Sequence, residues 1–154
     1  MSYKKFEIKC SADKGCCNAI VECGKHLVIE HYDIDAAALG DIKLCISEAV
    51  SNVVNHAYLN KKGPRPMLVS FVISTNTFTI VVRDKGVGIA DIKKARMPMF
   101  TTKHTELSGM GFTIMESFTG SHNNVIIESE AGKGTTLKLK FDMTRYKYLQ
   151  EEEK

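Results

Sequence analysis

Glu48, Asn52, Asn55 and His56 fall at offsets of zero, four, seven and eight along one stretch of the chain. In an α-helix that spacing puts four polar side chains on one face over about two turns. Asn is a poor interior helix residue because its amide competes for backbone hydrogen bonds, so two of them beside a Glu and a His ask for an explanation. Taken singly, Glu48 and His56 fit a solvated face. Taken together, the residues fit a metal and base site: the neutral amide oxygen of Asn52 suits Mg²⁺, and Glu48 can take a proton from an attacking hydroxyl or water.

Three glycine-bearing phrases follow. Asp84-Lys85-Gly86-Val87-Gly88-Ile89 comes directly after an apolar run. Its carboxylate, at a strand end, can accept a hydrogen bond from an exocyclic amine such as that of adenine, although a plain turn has the same composition. Ser108-Gly109-Met110-Gly111-Phe112 opens a helical pattern. Glycines at a helix start expose N–H groups to an anion, and they also suit an ordinary helix entry. Gly132-Lys133-Gly134-Thr135-Thr136 reads as a hairpin turn, and no Walker phosphate loop occurs anywhere in the chain, so a nucleotide would be held in another way.

The elements that must position these residues follow from periodicity. Phe6 to Cys10 alternates as a half-buried strand, and Ser11 with Asp13 signals a helix start. Ala12, Cys16, Ala19, Ile20, Cys23, Leu27 and Val28 form the buried stripe of a helix that ends near His31-Tyr32-Asp33. A second helix is predicted from about Asp35 to about Tyr58, stopped by Asn60-Lys61-Lys62-Gly63-Pro64. Met67–Ser74 and Phe78–Arg83 read as a hairpin that delivers Asp84 at its end, and Lys85 to Ser108 as a long mobile segment with only short regular elements. A short helix over Gly111–Phe118 and strands over Val125–Ser129 and Thr135–Phe141 complete the chain. Helices grouped early and strands grouped late predict an α+β two-layer sandwich, a mixed or antiparallel sheet with helices on one face. The expected division is a single domain over 1–145 and a charged C-terminal tail over 146–154.

At 154 residues, 44% hydrophobic and 25% charged, the composition is that of one folded domain. A net charge of +3 from scattered basic residues favours neither a nucleic-acid surface nor a polybasic membrane patch. With no apolar leader or membrane-length run, a cytoplasmic location is expected. The five cysteines (Cys10, Cys16, Cys17, Cys23, Cys45) are odd in number and form no Cys-x-x-Cys pair, so reduced thiols packed as small apolar side chains are expected, a redox role being left open for Cys16 and Cys17.

In order along the chain, Glu48 to Tyr58, Asp84-x-Gly86-x-Gly88-Ile89, Ser108-Gly109-Met110-Gly111-Phe112 and Gly132-Lys133-Gly134-Thr135 resemble the Bergerat ATP-binding fold of the GHKL group, which includes gyrase, heat-shock chaperone, histidine kinase and mismatch-repair ATPases. Ala95 to Lys103 followed by Ser-Gly-Met-Gly-Phe-Thr-Ile-Met-Glu at 108–116 is similar to the sporulation anti-sigma F factor family. That resemblance implies a homodimeric serine protein kinase that uses ATP and Mg²⁺, binds a sigma factor and phosphorylates a serine of an anti-anti-sigma protein. It implies Glu48 as catalytic base, Asn52 as Mg²⁺ ligand, Asp84 as adenine contact and Thr135 as a supporting hydroxyl. Gly86 and Gly88 would shape the base pocket; His56, Ile89, Thr101, Thr102, Lys103, Ser108, Gly109, Met110, Gly111 and Phe112 complete the implied nucleotide site. No direct nucleic-acid or membrane partner is implied.

Two positions depart from the family. Thr105-Glu106-Leu107 stands where the family carries an Arg just before Ser-Gly-Met-Gly-Phe, and the first helix has no Arg. The first departure supports an alternative, a non-catalytic ATP/ADP-binding module that grips a sigma factor or other partner. A general-stress type anti-sigma kinase is a further alternative, differing in partner.

Overall fold

The computed structural model describes residues 2–98 and 111–149. Strand β1 (Lys4–Ser11) leads into helix α1 (Lys14–His31), whose Asp13 cap accepts a 2.8 Å hydrogen bond from the Cys16 amide. The short strand β2 (Tyr32–Asp33) precedes α2 (Ala36–Asn52), capped in turn by Asp35 at 2.9 Å from the Ala38 amide. Both caps satisfy an amide that the first helical turn leaves without a partner.

The predicted second helix does run on past Asn52, but as a π-helical turn over Val53–Ala57. Strands β3 (Pro66–Ile73) and β4 (Thr77–Asp84) form the hairpin, with Tyr32 Oη donating to the carbonyls of Ser74 (2.7 Å) and Thr77 (2.9 Å) at its tip. Then come α3 (Ile92–Arg96), α4 (Gly111–Thr119), a 3₁₀ turn at His122–Asn124, β5 (Val125–Glu130), β6 (Gly134–Asp142) and β7 (Lys147–Tyr148).

Five strands make one antiparallel sheet in the order β1-β3-β4-β6-β5. Its inward positions are the alternate residues Val69, Phe71 and Ile73, Phe78, Ile80 and Val82, and Leu137, Leu139 and Phe141. They form one apolar cluster with Ile20 and Val28 of α1, Ile46 and Val50 of α2, and Met115 of α4. The outward positions Lys138 and Lys140 of β6 are exposed, whereas Ser70 of β3 and Thr79 of β4, also outward, are buried. The α+β sandwich is as the periodicity predicts, because period-2 strands can bury only one face and the helices supply its cover. β2 and β7 pair separately, so the start of the expected C-terminal tail is tied back to the end of α1, where the Leu149 amide also bonds the His31 carbonyl at 2.9 Å. Among the described residues no helix is long and apolar enough to cross a membrane.

One expectation about the cysteines is corrected. Cys10 at the end of β1 and Cys16 in the first turn of α1 form a disulfide, while Cys17, Cys23 and Cys45 are free. The turn at Ser11–Asp13 folds the helix start back beside the strand end, so two cysteines six apart meet without a Cys-x-x-Cys spacing. Closing so short a loop is worth about 2 kcal/mol by the chain-entropy relation. The double variant Cys10→Ser/Cys16→Ser is expected to lose about that much stability in urea unfolding. Added dithiothreitol should have the same effect on the native chain and none on the variant.

Candidate functional site

Helix α2 turns Ile42, Cys45, Ile46, Ala49 and Val50 into the core, which leaves Glu48 and Asn52 on its flank. The first residue of α4 lies directly over them. A Cβ built on Gly111 would stand 3.1 Å from Glu48 Oε2 and 3.5 Å from Asn52 Oδ1, so the backbone of α4 passes close to both side chains. The backbone of α4 at Gly111 is thereby brought beside a carboxylate and an amide. Burial pushes the Glu48 carboxyl above its ordinary value. The Asn52 Nδ2 atom is buried with no hydrogen-bond partner among the described residues. Such a group is costly unless a ligand or water completes it.

The other half of the site is built where β4 ends. Asp84 Oδ1 accepts from the Gly86 amide at 2.8 Å and the Thr135 amide at 3.3 Å, so neither bond uses Oδ2. Desolvation raises the Asp84 carboxyl, and the two backbone amides oppose that rise. The turn after Asp84 is wedged between two neighbours. A Cβ on Gly86 would lie 2.0 Å from the Ala57 carbonyl oxygen, which accepts the Val87 amide at 2.7 Å. Gly88 adopts φ 71°, and a Cβ there would lie 2.1 Å from the Glu130 carbonyl oxygen.

Ser129 ties the turn to the next hairpin. It accepts from the Ile89 amide at 2.7 Å, donates to the Gly134 carbonyl at 2.9 Å and lies 2.8 Å from Thr135 Oγ1. Tyr58 fixes the strand end itself: its hydroxyl accepts from the Lys85 amide at 2.9 Å and donates to the Pro66 carbonyl.

Between these halves lies a cavity of about 630 Å³, within the usual range for a small-molecule site. Of the residues expected to bind nucleotide, Asn52, His56, Asp84, Gly88, Ile89, Gly111, Phe112 and Thr135 line it. Glu48 stands beside Gly111 outside the lining, and Gly86 acts behind it through Ala57. Thr101, Thr102, Lys103, Ser108, Gly109 and Met110 lie outside the described residues.

The spacing argument missed the apolar walls. Val82 and Leu137 are two residues from Asp84 and Thr135 on the same strand faces, and the alternation of β4 and β6 carries that signal. Asp91 and Lys94 also reach the lining, from a helix too short to show a period.

The arrangement fits a purine nucleotide: apolar walls for a base, a carboxylate oxygen for its exocyclic amine, and a helix start for its phosphates. It also fits Mg²⁺ held chiefly by phosphate oxygens and water. Among the described residues no three His, Cys, Asp or Glu side chains converge, and Glu48 Oε2 and Asn52 Oδ1 are the side-chain oxygens nearest Gly111. Mg²⁺ commonly takes only one or two protein ligands at phosphate sites.

Residues 16–141 match the family described as histidine kinase-like ATPase domain. The chain is 50% identical over 114 residues to the anti-sigma F factor of Geobacillus stearothermophilus, covering 73% of this chain and 75% of that protein. It is 45% identical over 103 residues to the anti-sigma F factor of Clostridium acetobutylicum, covering 66% and 68% respectively. Among solved structures, the RsbU and RsbW domains of Rv1364c from Mycobacterium tuberculosis align with a TM-score of 0.60 at 19% identity, over 90% of this chain and 32% of that one. The catalytic domain of histidine kinase ThkA aligns with a TM-score of 0.52 at 17% identity, over 93% and 97%. At such identities the two structures speak for the fold.

Proposed function

Since the chain belongs to the anti-sigma F factor family and carries its histidine kinase-like ATPase domain, we propose that it sequesters a sigma factor and phosphorylates a serine of an anti-anti-sigma protein, with ATP as phosphoryl donor and as a homodimer. The observation that supports this most is the placing of Glu48 and Asn52 beside Gly111 of α4, with Asn52, Gly111 and Asp84 lining one cavity.

Asp84 Oδ2 accepts from the exocyclic amine of adenine, and Val82, Ile89 and Leu137 enclose the base. The phosphates extend toward Gly111, where helix-start amides and the dipole offset their charge. Mg²⁺, when bound, would be held by the Asn52 amide oxygen and would neutralise charge on the phosphates. Glu48 takes the proton from the serine hydroxyl of the partner. The serine oxygen bonds to the γ-phosphorus, the bond to the β–γ bridging oxygen breaks, and ADP leaves. Positioning and charge stabilisation supply most of the acceleration.

A second reading rests on one observation: the segment before Ser108 reads Thr105-Glu106-Leu107, with no Arg to meet a γ-phosphate. In that reading the chain is a binding module whose grip on the sigma factor is set by whether ATP or ADP is bound. Incubation with γ-labelled ATP, Mg²⁺ and candidate anti-anti-sigma and sigma proteins separates the two, followed by gel filtration with light scattering. Label on a partner serine, and a two-to-one complex with sigma factor in ATP, are expected. A stable sigma complex without label transfer favours the module, and no ATP binding overturns both.

A further inference from the structure

We propose that Arg96 is a positioning residue for nucleotide binding, a clamp that holds the α3 wall of the cavity against α4 and β5. The proposal rests on the nucleotide reading of that cavity. α3 is five residues long and has no buried residue of its own, yet its N-cap Asp91 and its residues Lys94 and Ala95 contribute a wall of the cavity. A helix this short has no stability of its own, so something must pin it.

Arg96, at its last position, does so from behind the wall. Its Nη1 donates to Glu116 Oε1 of α4 at 2.6 Å, and its Nη2 donates to the carbonyl of Val125 at the start of β5. His122 Nδ1 closes the cluster, 3.1 Å from Arg96 Nη1 and 3.0 Å from Glu116 Oε1. The Arg96 and Glu116 side chains are only 15% and 25% exposed, so this pair is shielded from the screening that makes surface ion pairs weak.

One guanidinium thus joins the helix that walls the cavity, the helix whose first residues Gly111 and Phe112 line it, and the sheet edge. Only a planar fork reaches a carboxylate and a carbonyl at once; an ammonium offers a point charge on a flexible stem. Arg96 is not among the lining residues, and its hydrogen bonds run to Glu116, His122 and Val125 rather than to Glu48 or Asn52, which α2 carries. The clamp therefore acts on affinity rather than on the chemical step.

The test measures binding of a fluorescent ATP analogue with Mg²⁺, and single-turnover transfer at saturating ATP, for the native chain, Arg96→Ala, Arg96→Lys and Glu116→Gln. Arg96→Ala is expected to weaken binding by about tenfold or more, as for loss of a charged hydrogen bond, with transfer at saturation within about twofold and methylguanidinium restoring part of the affinity. Arg96→Lys should stay close to Arg96→Ala, and Glu116→Gln should fall between. Native-like affinity in both Arg96→Ala and Glu116→Gln overturns the clamp, as does lost affinity that tracks a lost folded fraction in thermal unfolding with no recovery by methylguanidinium. A native chain that binds no ATP overturns the nucleotide reading itself and is thereby distinguished from failure of the clamp.

Discussion

Glu48→Gln is expected to lower phosphoryl transfer by about 10²–10⁴-fold, the usual worth of a positioned general base, while ATP affinity stays within a small factor of the native value. Gln has the size and shape of Glu, so the tight approach of Gly111, 3.1 Å from Glu48 Oε2 at its ideal Cβ, is kept. What is lost is the capacity to take the serine proton. The pH dependence carries a second mark of this role. Burial raises the Glu48 carboxyl above its ordinary 4.5, and the base form is the ionised one. As pH falls, transfer by the native chain should therefore decline along a limb displaced upward from that of an unburied Glu. That limb should be missing from the residual activity of the variant. Single-turnover rates across pH check both points, and native-like transfer by Glu48→Gln would remove Glu48 from the mechanism.

Asp84→Asn is expected to weaken ATP binding by about 10²-fold or more, since a site built around one hydrogen bond strongly rejects a partner that cannot make it. Asn can keep its oxygen where Oδ1 now accepts the Gly86 and Thr135 amides at 2.8 and 3.3 Å. Its NH₂ then replaces Oδ2 and meets the exocyclic amine of adenine donor to donor. Inosine triphosphate, with an acceptor at that ring position, should lose much less. Calorimetric titration of both nucleotides into both proteins reads this directly. An unchanged ratio of ATP to inosine triphosphate affinity would mean that Asp84 does not read the base.

The parts of this site that could be read from the residues are those governed by local rules. Asp84 stands at the end of an apolar alternating run, and Asp13 and Asp35 are N-cap residues before periodic stripes, so strand end and helix starts follow from spacing. The contacts that complete the site are long-range. Thr135 reaches Asp84 across 51 positions, and Arg96 reaches Glu116 and Val125 across 20 and 29. No periodicity encodes such pairs. Helix α3 escaped notice because it buries nothing, and its place depends on that distant clamp. The disulfide escaped because only the reversal at Ser11–Asp13 brings its cysteines together. The meeting of Glu48 with Gly111 was legible solely through resemblance, as nothing in either phrase alone names the other.

The π-helical turn at Val53–Ala57 makes the end of the α2 segment a shared anchor for both halves of the site. Carbonyls of a last helical turn have no amide ahead of them in the helix. The Ala57 carbonyl instead accepts the Val87 amide, 2.7 Å away, in the turn after Asp84. Glu48 and Asn52 stand earlier on the same continuous helical segment. The proton-taking carboxylate and the base-reading turn are thus referred to one rod, much as a single datum aligns two parts of a machine. A deletion within 53–57 would shift that tie to Val87 while the strand that carries Asp84 stayed whole.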